Sequence, residues 1–150
     1  MYDDMDKLRF HAEVIHTASD KIDLLLSGNY YTYETANLVE AWNMPEFDAE
    51  LSLDYKVSEQ LKISTDVFLL GKRKGMISYM SMSSIDSPDF MDQPFILDTA
   101  FDLNFGANYA FTSFLSAFCQ LNNFGFQSYE KWLGYPVQSF NFLAGLNYSF

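Results

Sequence analysis

The sequence predicts an all-β chain, an antiparallel meander of about seven or eight long strands. Three observations predict it. Apolar residues recur at every second position, not at helical spacing. The alternating segments run to about 9–12 residues, longer than ordinary strands and close to the about 9–11 that cross a bilayer. The connections between them alternate between short and long.

Seven segments follow, at 8–17, 21–31, 46–56, 61–71, 98–109, 114–122 and 139–150. In the third, Phe47, Ala49, Leu51, Leu53 and Tyr55 share one face, against Asp48, Glu50, Ser52, Asp54 and Lys56. In the fifth, Phe101, Leu103, Phe105, Ala107 and Tyr109 oppose Asp102, Asn104, Gly106 and Asn108. The last, Phe140-Asn-Phe-Leu-Ala-Gly-Leu-Asn-Tyr-Ser-Phe, keeps the scheme to Phe150. A helix would scatter these polar groups around its circumference, whereas a strand sorts them.

The connections Ser19-Asp20, Val57–Gln60 and Ala110–Ser113 are short, and 32–45, 72–97 and 123–138 are long. In a meander, alternate connections lie at opposite ends, so one end is trimmed and the other elaborated. Transmembrane barrels have this asymmetry.

The apolar faces of the seven segments carry no Asp, Glu, Lys or Arg. Arg9, Glu13, Asp23, Asp48, Glu50, Asp54, Lys56, Lys62, Asp66 and Asp102 all fall on the other face. Aromatic rings on the apolar face gather at segment ends, at Tyr30, Phe47, Tyr55, Phe101, Tyr109, Phe140, Tyr148 and Phe150. Leu24, Leu26, Leu51, Val67 and Ala144 sit mid-segment. Two aromatic girdles around a hydrocarbon band have this layout. The expected fold is therefore part of a transmembrane β-barrel with its apolar face in lipid, a curved sheet that is open in isolation. A soluble lipocalin-like ligand-binding barrel, apolar inside, is the alternative.

Composition narrows the function. The chain has 15 Phe, 10 Tyr and 2 Trp, an enrichment that suits strands and membrane interfaces. No apolar run is long enough for a transmembrane helix. A net charge of −11 excludes a nucleic-acid partner. Cys119 is the single cysteine and has no internal disulfide partner. The acidic start, Met1-Tyr-Asp-Asp, does not resemble a signal peptide.

Chemical motifs are sparse. His11 and His16 face opposite sides of a strand, so they cannot share a metal. Asp86, Asp89 and Asp92 are weak candidates for a calcium ion and lack the Gly and terminal Glu of an EF-hand. Gly71-Lys-Arg-Lys-Gly75 lacks phosphate-loop spacing and reads as a basic edge meeting anionic headgroups. No catalytic constellation stands out, so neither enzymatic activity nor a cofactor is expected. Tyr31, Tyr33, Trp42, Tyr79, Tyr129, Trp132 and Tyr135 are read as loop aromatics that either pack or contact ligand.

The last third of the chain carries a resemblance. Phe101-Asp-Leu-Asn-Phe-Gly-Ala-Asn-Tyr, then Asn122-Asn123-Phe124 and Tyr129, then the turn Gly134-Tyr135-Pro136, lead to a final strand ending Tyr148-Ser-Phe150. This resembles the C-terminal barrel region of TonB-dependent receptors, especially those of Bacteroidetes-type bacteria. Gln138-Ser139 departs from the Gly-Arg that often follows the Pro in that family. The resemblance implies a barrel segment of a nutrient-uptake transporter in the outer membrane of a Gram-negative bacterium. A plugless outer-membrane pore or structural barrel is the alternative within this class. It also implies that Phe142, Ala144, Leu146, Tyr148 and Phe150 form a sorting strand read by the barrel assembly machinery. Outer-membrane lipid, upstream strands, a plug domain and TonB would be the other partners.

Seven strands put Met1–Lys7 at the long-loop end, yet single-chain bacterial barrels normally have an even count. Residues 1–150 are thus expected to be the C-terminal part of one larger barrel domain, with no separate plug or soluble domain. An eighth strand over Met76–Met82 would break the parity of the loops.

Overall fold

The computed structural model describes residues 4–38, 40–81 and 89–150, the side chains of 78–81 and 89–92 excepted. Eleven strands are present among them: β1 (Met5–Ser19), β2 (Ile22–Thr35), β3 (Phe47–Lys56), β4 (Leu61–Leu70), β5 (Arg73–Ser81), β6 (Asp89–Leu97), β7 (Ala100–Ala110), β8 (Leu115–Asn122), β9 (Glu130–Trp132), β10 (Tyr135–Pro136) and β11 (Asn141–Tyr148). Seven form one sheet in the order β1-β2-β3-β4-β7-β8-β11, every pair antiparallel. This is the expected meander. The sheet is open, with β1 and β11 as its edges.

Register carries the two-faced pattern across the whole sheet. One row runs Val14, Leu26, Leu51, Val67 and Leu103, and of the two rows flanking it one pairs Ser27 with Glu50 and the other Ser52 with Asp66. A slip of one residue in any strand would exchange its faces, so this row-by-row agreement fixes the register. Leu26 and Leu51 are 49% and 38% exposed, so no second layer covers the apolar face. Charge returns to that face only where Asp6 pairs with Glu34, beyond the Phe10–Tyr30 pair. β1 and β2 therefore run past the apolar band on the long-loop side.

Aromatic clusters bound the band at both ends. Phe105, Phe124, Phe126 and Phe140 interlock at the long-loop end, with centroid separations of 4.9–6.4 Å. Tyr109 with Phe111, and Phe114 with Tyr148 and Phe150, do so at the short-turn end. From Phe101 to Tyr109 the strand rises about 27 Å, or about 20 Å along the normal at the tilt usual in membrane barrels. That is close to the apolar band of such walls.

Two short turns share one device. Val57 and Ser58 donate their amides to Leu61 O, while the Ser58 hydroxyl accepts from the amide of Leu61 at 3.1 Å. Phe111 and Thr112 donate to Leu115 O, and the Thr112 hydroxyl accepts from the amide of Leu115 at 3.0 Å. The side-chain oxygens stand in for backbone acceptors, as Ser and Thr do in tight turns.

The long connections depart from expectation. Segment 72–97, expected as a loop, contains the ribbon β5–β6, which pairs only with itself. The stretch Met76–Met82, weighed above as an eighth wall strand, lies within β5 as far as Ser81 and pairs with β6 rather than with the seven-stranded sheet; Met82 lies outside the described residues. β4 and β7 pair directly beneath the ribbon, Leu70 beside Ala100. At the corner, a Cβ on Gly71 would sit 2.7 Å from the Phe47 ring and 2.8 Å from its carbonyl, so only glycine fits. The ribbon shows no apolar alternation in sequence, because the residues its base buries are Arg73, Gly75 and Leu97, and Pro94 is tolerated in a two-stranded edge. Segment 123–138 likewise contains the small hairpin β9–β10.

Candidate functional site

The polar face is a ladder of side chains held by their cross-strand partners. Asn29 Nδ2 donates to Asp48 Oδ1 at 2.6 Å, and its Oδ1 lies 2.9 Å from His11 Nδ1. Ser52 Oγ donates to Asp66 Oδ1 at 2.6 Å, and Thr17 Oγ1 to Asp23 Oδ1 at 2.9 Å. Each carboxylate accepts from the residue opposite it on the neighbouring strand. This is a wet, ordered wall rather than a core.

At the long-loop end the ladder meets a roof. The stretch after β8 folds back onto the polar face, where Tyr129 Oη donates to Asp102 Oδ2 at 3.2 Å. Burial first, then the Asp102 carboxylate, raises the Tyr129 phenol above its usual range, and Arg73 partly offsets this. Between roof and sheet lies a cavity of about 460 Å³, with Asn29, Asp48, Glu50 and Phe68 in its floor and Tyr129, Lys131 and Trp132 above. A second cavity of about 390 Å³ lies beside Tyr31, Tyr33, Met44 and Lys72. Arg73 lines both.

Asn123 starts the fold-back. It is 2% exposed with φ 50°, a left-handed conformation that Asn tolerates best after Gly. Its amide donates to Asn104 Oδ1 at 2.9 Å. Its Nδ2 donates to the carbonyls of Gln127 and Gln138 at 2.7 and 3.2 Å, and its Oδ1 accepts from the amide of Gln127 at 3.1 Å. One side chain thus closes both ends of the 123–138 connection. The neighbouring Asn122 only joins Asn141 across the β8–β11 pair, at 2.9 Å.

Gly134 turns β9 into β10 with φ 81°. Its amide donates to Glu130 Oε2 at 2.7 Å. Tyr135 and Trp132 stand exposed and edge-to-face at 6.5 Å, and Pro136 pairs with Glu130. Tyr31 and Tyr33 are not loop residues. They lie on the polar face of β2, with Lys7 Nζ 4.1 Å above the Tyr31 ring. The side chain of Tyr79 lies outside the described residues, while Trp42 lies in the turn beside Asn43.

The basic motif also changes meaning. Arg73 is 2% exposed and does not face lipid. Its Nη1 donates to Gly71 O at 2.6 Å and its Nη2 to Glu130 O at 2.7 Å. Burial lowers its pKa, with Tyr129 opposing, and guanidinium remains charged at neutral pH. Lys74 pairs with Glu40 at 2.6 Å. Sequence alone gave no hint of this role beyond a cation placed between two glycines.

Phe142, Ala144, Leu146 and Tyr148 lie along the apolar face of β11, paired with Leu121, Cys119, Ala117 and Leu115. Phe150 projects beyond the last paired residue, fully exposed. Asp86 lies outside the described residues. Asp89 and Asp92 sit on the β6 backbone opposite Ser81 and Ser78. Among the described residues no group of three acidic, His or Cys side chains could hold a metal ion.

No protein-family profile and no curated protein matches the chain. Solved structures do. The pyoverdine outer-membrane receptor FpvA of Pseudomonas aeruginosa PAO1, bound to pyoverdine, superposes with a TM-score of 0.79 at 17% identity, over 97% of this chain and 22% of its own. The ferric-catecholate import receptor Fiu of E. coli K12 gives 0.73 at 15%, over 99% and 22%. The ferric enterobactin receptor PfeA of P. aeruginosa gives 0.70 at 14%, over 93% and 22%. These neighbours are TonB-dependent outer-membrane receptors, and the chain has the fold of a section of their β-barrel wall. It spans about a fifth of their length. The Bacteroidetes-type resemblance rests on the sequence motifs alone.

Proposed function

We propose that residues 1–150 form the C-terminal section of the barrel wall of a TonB-dependent uptake receptor in a Gram-negative outer membrane. The observation that carries this is the seven-strand apolar face, free of Asp, Glu, Lys and Arg between its two aromatic margins, on a sheet that superposes on receptor barrels. Lipid covers that face. The polar face lines the lumen, and the fold-back of 123–138 onto it is a loop closing over the mouth. A soluble barrel would turn the apolar face inward, away from the polar contacts of this connection.

The edges of β1 and β11 need further strands, because unpaired backbone groups are not tolerated in lipid. A plug within the lumen and TonB beneath it complete the transport reading. The exposed ladder of β11 and its terminal Phe150 suit pairing with the assembly machinery by strand addition. The pyoverdine bound to FpvA and the enterobactin in complex with PfeA, a ferric enterobactin receptor, support an iron chelate as the nutrient class.

Cells lacking the protein are expected to lose uptake of one such chelate, and uptake should return with the intact protein. The folded protein should enter the outer-membrane fraction and migrate faster in unheated detergent gels. Recovery as a detergent-free soluble monomer would overturn the reading. Uptake that persists without an energised inner membrane would favour the plugless pore.

A further inference from the structure

Three connections that are far apart in sequence meet at one buried cation. The first link joins 36–46 to β5, where the Asn43 amide donates to Lys74 O at 2.7 Å. The second joins β5 to β9, where Arg73 Nη2 donates to Glu130 O at 2.7 Å. The third joins the β9–β10 turn back to the first connection, where the Leu133 amide donates to Asn43 Oδ1 at 3.0 Å. The three links close a triangle. Asn43 has φ 59°, so the residue that serves two corners also holds a left-handed turn.

Packing tightens the triangle. Gly75 lies under Leu133, where a Cβ would come within 2.7 Å of Leu133 Cβ. On either side of Arg73 the Glu46 amide donates to Lys72 O at 3.4 Å, and Lys74 Nζ donates to Glu40 Oε1 at 2.6 Å. The guanidinium is desolvated, and a charge so placed is costly unless its partners stay in position. Its planar fork meets the two carbonyls with two separate, rigidly spaced nitrogens, a geometry that the single nitrogen of an ammonium does not reproduce.

We propose that Arg73 is a positioning residue that couples segment 40–46, the base of β5 and hairpin β9–β10 into one mechanical unit. The roof residues Tyr129, Lys131 and Trp132 then move over the polar face together with 40–46 rather than as an independent loop. A ligand that displaces the roof thereby displaces segment 40–46 with it.

Hydrogen-exchange mass spectrometry on the intact protein in detergent micelles tests this. Arg73→Met should speed exchange about tenfold or more in both 40–46 and 130–134. Arg73→Lys should fall short of restoring protection, because one flexible ammonium nitrogen replaces the two fixed nitrogens that reach Gly71 O and Glu130 O. Asn43→Gly keeps the backbone angle, removes the Leu133 acceptor and leaves the guanidinium untouched, so exchange at 130–134 should quicken there as well. Loss of protection in 130–134 of Arg73→Met with 40–46 unchanged would overturn the coupling. So would wild-type exchange in Arg73→Lys, or in Asn43→Gly.

Discussion

Tyr129 Oη donates to Asp102 Oδ2 at 3.2 Å across 27 residues of chain, and the other oxygen, Oδ1, is buried with no partner. The phenol thus joins Asn123 and Arg73 in holding the connection after β8 down on the polar face.

Tyr129→Phe removes that donor and leaves a half-buried carboxylate with neither oxygen satisfied by the roof. Loss of such a bond costs about 1–3 kcal/mol locally. Limited proteolysis should cut 124–138 faster in the variant, with the barrel intact. The wild type should also show a pH response. The phenol pKa is raised in the fold, so its contribution is complete below the ordinary tyrosine range and is lost as pH climbs through the raised value. Alkaline loosening of 124–138 should be present in wild type and blunted in Tyr129→Phe.

Asn123 and Asn122 are adjacent and chemically identical, yet the structure assigns them unequal weight. Asn123→Ala forfeits three side-chain hydrogen bonds and forces alanine to φ 50°, so about 3 kcal/mol or more should be lost. Asn122→Ala forfeits one part-buried bond and should cost about 1 kcal/mol. Urea unfolding of the refolded protein in lipid vesicles measures both.

Gly145 lies opposite Phe118 on the polar face, where a Cβ would come within 2.7 Å of the ring edge. Gly145→Ala should cost about 1–3 kcal/mol and slow assembly of the last strand. Phe118→Leu should relieve much of it. Gly106→Ala meets only the Ser64 hydroxyl, a small group free to rotate, and should cost less.

The faces themselves differ in what they tolerate. Leu51→Lys places a charge on the central apolar row and should cost about 2–4 kcal/mol in a bilayer. Glu50→Lys, one residue away on the polar face, should leave stability nearly unchanged. Heat-modifiable gel migration at graded urea separates the two.

The seven-stranded sheet was legible in the sequence because a wall between two solvents imprints period two on every strand. Leu51 and Glu50 announce their faces without further information. The ribbon β5–β6 was not legible, since the residues that its base buries, Arg73, Gly75 and Leu97, make no apolar alternation, and Lys72-Arg73-Lys74 looked like a solvated edge. Arg73 is buried by chain segments that arrive from residues 43 and 130. Nothing local to residue 73 encodes that meeting. Asn123 was singled out by motif, but its role came from φ and from Gln138, fifteen residues away. The strand ends were nearly right, although pairing stops at Tyr148 and β1 and β2 extend past the apolar band.

If the apolar face meets lipid, native Cys119 lies in it, on that face between Ala107 and Ala144. A nitroxide attached at Cys119 in the protein reconstituted into bilayers reports its solvent directly by power saturation. Such a label should collide strongly with dissolved oxygen and weakly with a water-soluble nickel chelate, and a label at Gln120→Cys in a Cys119→Ala background should show the opposite shift. A label at Cys119 that meets the nickel chelate as readily as oxygen, or that is shielded from both, would rule out a lipid-facing apolar wall.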